Sequence, residues 1–137
     1  MSFELYLQAF QAGESKSIPA SLVLTAFGGA MTVVSANEWR LFFDDENHCH
    51  VFVSPTDDEG VLIDAITIER PCRDARLWTG LASLLQQDSF VLYFPGSKAL
   101  VGTELIAAQL PEGMVESLGG FVVVNTPEQI LNELSSA

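Results

Sequence analysis

From Trp39 to Glu69 the chain alternates side-chain character with a period of two, three times over, and this limits its fold more than any other stretch. WRLFF, HCHVFV and GVLIDAITIE read as three strands, because successive side chains of a strand point to opposite faces. DDEN at 44–47 and SPTDDEG at 54–60 are rich in turn residues and short, so the three strands form an antiparallel meander. Trp39, Leu41 and Phe43 share one face of the first strand, and Phe42 takes the other. On the second, Cys49, Val51 and Val53 oppose His48, His50 and Phe52. On the third, Leu62, Ile66 and Ile68 oppose Val61, Ile63 and Ala65. Both faces are therefore partly apolar. A sheet with one wet face carries polar residues there, so this pattern predicts either helices on both faces or a partner on one.

The next stretch, Arg70 to Gly96, supplies a helix and a strand. Pro71 stops the third strand, and Asp74 is placed to cap a helix over 75–87 whose apolar stripe is Leu77, Trp78, Leu81, Leu84 and Leu85. Gly80 costs such a helix up to ~1 kcal/mol relative to alanine, which points to a close contact there. Phe90 to Phe94 is a buried strand ended by Pro95-Gly96. At the N-terminus, Phe3, Leu5 and Leu7 fit a strand, while Phe3, Tyr6, Leu7 and Phe10 fit a helix. Ser2 as N-cap and Gly13 as terminator favour the helix. Pro19 opens a second helix that Gly28-Gly29 ends, and residues 30–36 fit either a strand or a core plug.

Downstream, ALV at 99–101 reads as an edge strand, Thr103 caps a brief helix over 104–109, and Pro111 opens another. FVVV at 121–124 reads as a second buried strand, parallel to 90–94. Thr126-Pro127-Glu128-Gln129 opens the last helix as a capping box. The expected fold is one α+β domain over residues 1–137: the three-stranded antiparallel meander, extended to a mixed sheet and packed with helices.

Charge narrows the function. Eighteen acidic residues face six basic ones, a formal charge of −12. Such a surface repels phosphate backbones and anionic lipid, so neither nucleic acid nor a membrane is expected as partner, whereas a basic protein is steered toward it. MSFELYLQAF lacks the basic start of a signal peptide, and no apolar run approaches the ~18 residues of a membrane span. The expectation is a cytoplasmic protein with its two cysteines, Cys49 and Cys72, reduced.

Four groups bear on chemistry. Cys72 lies just ahead of the expected helix, between Arg70 and Arg73, where positive charge and a helix start favour a thiolate, and His48 or His50 would be its base. The phosphatase spacing fails, since residue 78 is Trp. His48 and His50 share a strand face and supply two metal ligands where zinc needs three or four, so no metal is assigned. Arg70, Arg73 and Arg76 can bind an anion at the helix start, or pair with the chain's own acids. The turns Asp44-Asp45-Glu46 and Asp57-Asp58-Glu59 are solvated and poor general acids, and suit docking of a basic partner better. GxSxG, GxGxxG, HExxH and a P-loop are missing. No catalytic set and no cofactor are expected.

The segments FELYLQAF, WRLFFDDEN, ERPCRDARLWTGL, LLQQDSFVLYFPG and LPEGMVESLG resemble small acidic bacterial proteins akin to the immunity proteins of toxin systems. That resemblance implies a non-enzymatic inhibitor of a basic toxin. The order helix, three-stranded meander, helix, strand is similar to type III secretion chaperones and implies a homodimer; the elements after Gly102 depart from it. The expected binding surface is Phe42, His48, His50 and Phe52 with the two acidic turns, Asp44, Asp45, Glu46 and Asp57, Asp58, Glu59. A small enzyme using Cys72 is the remaining alternative.

Overall fold

The computed structural model describes residues 3–136, with side chains as far as Ser135. Its α+β core is a mixed sheet. The strands are β1 (Glu4–Gln11), β2 (Glu14–Ser15), β3 (Ile18–Pro19), β4 (Met31–Ser35), β5 (Glu38–Asp44), β6 (Asn47–Pro55), β7 (Leu62–Glu69), β8 (Phe90–Tyr93), β9 (Ala99–Val101) and β10 (Phe121–Val123). The helices are α1 (Ala20–Ala26), α2 (Ala75–Gln87), α3 (Glu104–Ala107), α4 (Met114–Ser117) and α5 (Pro127–Ser136). Across the sheet the order is β10-β9-β8-β1-β7-β6-β5-β4, with β2 paired to β1 and β3 to β7.

The meander forms as its alternation requires. Trp39, Leu41, Cys49, Val51, Val53, Ile66 and Ile68 are buried on the inner face. Ile63 joins them, because the register slips between Ser54 and Pro55 and carries Ile63 to the same side as Ile66. This irregularity replaces the strict alternation expected of the third strand.

The helix expected over 3–12 is instead β1, the strand on which the sheet closes. It pairs antiparallel with both β7 and β8. Leu5, Leu7 and Ala9 are buried inward, while Tyr6, Gln8 and Phe10 face outward and are half-buried. Pairing on both edges over Tyr6–Gln8 satisfies the backbone groups there, which outweighs a helical spacing of four residues. Ser2, the expected cap of that helix, lies outside the described residues.

α2 carries the stripe read from sequence, with Leu77, Trp78, Leu81, Leu84 and Leu85 buried, and packs on α1, α5 and β8. Asp74 caps it by accepting the Arg76 amide at 2.8 Å. Gly80 lets α2 approach Phe27, the residue that ends α1. At the start of α5, the Gln129 side chain reaches back to the amides of Asn125 (2.6 Å) and Thr126 (3.0 Å), as a capping box does.

The far end of the sheet differs from expectation. β9 is not an edge: it lies between β8 and β10, antiparallel to the first and parallel to the second. β10, expected to lie parallel to β8, is instead parallel to β9 and so runs opposite to β8, because the helical crossover α3–α4 joins β9 to β10. β10 is the edge, and Phe121 is exposed there. The turns of α3 and α4 cover this end of the outer face through Ile106, Leu110, Met114, Val115 and Leu118, packed on Val91, Ala99 and Val101. Among the described residues no helix is long and apolar enough to cross a membrane.

Candidate functional site

α1, α2 and α5 pack over the inner face of the sheet. On the outer face, α3 and α4 shelter only the β8–β10 end. Over β6 and β5 the outer side chains are mostly exposed, and over β1 and β7 they are half-buried. Cross-strand register aligns Tyr93, Tyr6, Thr67, Phe52 and Glu38 in one row across five strands. The beginning of that row is a stack, with the rings of Tyr6 and Tyr93 5.1 Å apart. Its far end is exposed: Phe52 keeps 46% of its surface in water. The adjoining row is Glu4, Glu69, His50, Arg40 and Thr32. Beyond it Phe42 stacks on His48 at 6.0 Å, and Arg40 lies 5.1 Å from the Phe42 ring.

Polar tips fix these rings. The Tyr6 hydroxyl donates to Glu4 Oε2 at 2.8 Å, and Tyr93 donates to Gln8 Oε1 at 3.1 Å. The Glu4 carboxylate raises the Tyr6 pKa by favouring the protonated phenol, and burial raises that of Tyr93. Both tyrosines therefore stay neutral donors. His50 Nδ1 sits 3.6 Å from Glu38. The carboxylates of Glu4, Glu38 and Glu69 outnumber the single guanidinium of Arg40 on these two rows, so the face is aromatic and acidic.

The structure brings together Phe42, His48, His50 and Phe52 as expected of alternating positions. It separates the acidic turns. Asp44-Asp45-Glu46 and Asp57-Asp58-Glu59 lie beyond opposite ends of β6, a strand of nine residues and so roughly 30 Å long. One acid in each turn is structural. Asp44 Oδ1 accepts the amides of Glu46 and Asn47, both at 2.9 Å. Asp57 accepts those of Val61 and Leu62 at 3.0 and 3.3 Å. Asp45, Glu46, Asp58 and Glu59 are left to face water. Tyr6 and Tyr93 were not legible as site residues, because only the β7-β1-β8 order places them beside Phe52.

The arginines part company. Arg76 binds Asp74 through two hydrogen bonds, at 2.8 and 2.6 Å, lies 3.6 Å from Asp44, and covers the Phe43 ring at 4.7 Å. Its charge is spent on the chain's own acids. This pairing also holds the Asp74 carboxyl well below the usual range, at about 2. Arg70 and Arg73 are exposed and, among the described residues, have no ion pair. Beside Arg76 an open cleft of about 390 Å³ runs between α1 and α2, walled by Phe27, Phe43, Thr79 and Gly80.

Cys72 does not meet a histidine. It is buried under the inner face in the same apolar cluster as Cys49, while His48 and His50 project from the outer face of the strand that carries Cys49. The sheet stands between base and thiol, so the histidines cannot serve Cys72. The chain matches no family model, no curated protein and no solved structure.

Proposed function

We propose that the chain is a non-enzymatic, cytoplasmic protein-binding module that docks a basic protein on its open sheet face. The observation that carries this reading is the aromatic row that runs from half-buried Tyr93 and Tyr6 to exposed Phe52. Aromatic side chains held by cross-strand neighbours offer large contact area at low entropic cost. The carboxylates around them, Glu4, Glu38 and Glu69, select a partner of opposite sign and speed its approach. Asp45, Glu46, Asp58 and Glu59 extend that field past both ends of β6. An immunity-type inhibitor, which occludes a basic bacterial toxin, is the most concrete form of this function, and the sequence resemblance supports it.

The test is affinity capture from the native cytoplasm at low and high salt, repeated with Phe52→Lys. Lysine there faces Glu38 across the strands and so suits the sheet, but repels a basic partner. A basic protein that binds the wild type, leaves with salt and fails to bind Phe52→Lys supports the reading. Equal capture by both chains contradicts it.

A chaperone-like homodimer is the second reading. It is favoured by β4, an edge strand whose Val33 and Val34 are exposed and whose outer backbone is a template for another strand. Light scattering separates the two, because a monomer rules out the dimer.

A further inference from the structure

Cys49 and Cys72 stand 23 positions apart in sequence and meet in the core. The register explains how. His50 pairs with Glu69, so Cys49 lies level with the first residue beyond β7. That residue, Arg70, takes a left-handed φ of +46° and its amide donates to the Phe3 carbonyl at 3.1 Å. The turn, followed by Pro71, folds the chain back under the sheet and lays Cys72 on Cys49. The two sulfurs come from different elements, both are free thiols, and both sit in the same apolar cluster, 5% and 8% exposed.

We propose that Cys49 and Cys72 are a dithiol site that hydrogen peroxide converts to an intramolecular disulfide. The geometry assigns the roles. Cys72 is the attacking sulfur: it stands three residues ahead of the start of α2, where the helix N-terminus stabilises negative charge on this sulfur. Its pKa is lowered by interaction with Cys49, while that of Cys49 is raised by interaction with Cys72 and by burial. The Cys72 thiolate attacks one peroxide oxygen and breaks the O–O bond, leaving a sulfenic acid and hydroxide, which takes up a proton to become water. The Cys49 sulfur then attacks the sulfenic sulfur, its proton leaves with the displaced hydroxide as a second water, and the S–S bond forms. Two thiols and one peroxide give one disulfide and two waters, and the sulfurs together lose two electrons. A small dithiol such as dithiothreitol reverses the step. The bond would clamp β6 to the start of α2, across the loop that carries β7. This site is independent of the outer face and stands whether or not that face binds a partner.

The experiment treats the reduced, folded full chain with a small excess of hydrogen peroxide, then measures intact mass and counts thiols after denaturation. The proposal expects a monomer lighter by about 2 Da, no titratable thiols, and a Cys49–Cys72 peptide in a non-reducing digest. It expects a melting temperature higher by on the order of 10 °C, restored to its first value by dithiothreitol. The Cys49→Ala chain should instead gain about 16 Da or more on Cys72. A wild type that gains about 16 or 32 Da, forms disulfide-linked dimers, or keeps both thiols at a peroxide dose that oxidises a free low-pKa thiol overturns the proposal. These wild-type readings do not depend on any variant folding.

Discussion

A β-carbon on residue 102 would stand 1.8 Å from the carbonyl oxygen of Leu85. Gly102 follows β9 and Leu85 lies near the end of α2, so a missing side chain sets how closely the helix rests on this end of the sheet. The obstacle is helix backbone, which cannot swing aside. Gly102→Ala should therefore cost about 2–3 kcal/mol, at the upper end for overpacking. Gly80→Ala meets the Phe27 ring at 2.5 Å, but that ring borders the open cleft and can turn into it, and alanine recovers up to ~1 kcal/mol of helix propensity. Urea unfolding should rank Gly102→Ala as the more damaging of the two.

Gln86 reads in sequence as a residue of the polar side of α2. In the fold its Nε2 donates at 2.6 Å to the carbonyl of Val124, the fully buried residue that follows β10. The bond joins α2 to the strand edge and to the start of α5. Gln86→Ala should cost about 1–2 kcal/mol, since the carbonyl loses a partner in a partly buried place. Hydrogen exchange should quicken first in α5 and β10, leaving the meander protected.

Asp74 links stability to acid pH. Its folded pKa of about 2 is below the ordinary aspartate value of 3.8, because hydrogen bonds from Arg76 favour the carboxylate. A group depressed on folding stabilises fully above its unfolded pKa, and the benefit fades as pH falls through the folded value. Asp74→Ala should melt at a lower temperature than the wild type at pH 7. The gap between them should narrow from about pH 4 and be nearly closed near pH 2. A gap that stays constant over that window would mean that the ion pair and charged cap do not act as described.

Alkylation reports the two thiols separately. Cys72, its pKa lowered by interaction with Cys49, should react with iodoacetamide at lower pH than an ordinary thiol. Cys49 should stay silent until the chain unfolds, because its interaction with Cys72 and burial hold it protonated. Removing that neighbour with Cys49→Ala should move the Cys72 profile upward.

The meander, α2 and the α5 cap were legible because each is a local pattern: strict alternation, one apolar stripe, and Gln129 three residues after Thr126. β1 was not. A strand in mid-sheet with Tyr6 and Phe10 outward and Leu5 and Leu7 inward has apolar residues on both faces, and that spacing also satisfies a helix. β9 was misplaced to the edge because its neighbour β10 arrives only after α3 and α4, a pairing no local signal marks. The site divides along the same line. Phe42, His48, His50 and Phe52 followed from the period of one hairpin. Tyr6 and Tyr93 needed the β7-β1-β8 order, and the meeting of Cys49 with Cys72 needed a left-handed turn at Arg70, a residue that sequence does not mark for it.

The central claim is that the open aromatic face binds a basic protein. Titration of the captured partner against the wild type and Phe52→Lys, each at low and high salt, tests it most directly. Phe52 is half exposed, so the substitution should leave the melting temperature within a few degrees of the wild type. The account predicts at least about a tenfold weaker affinity for Phe52→Lys, equivalent to about 1.4 kcal/mol, and a wild-type affinity that falls as salt rises. Unchanged affinity in a folded Phe52→Lys chain would place the partner elsewhere and contradict the account.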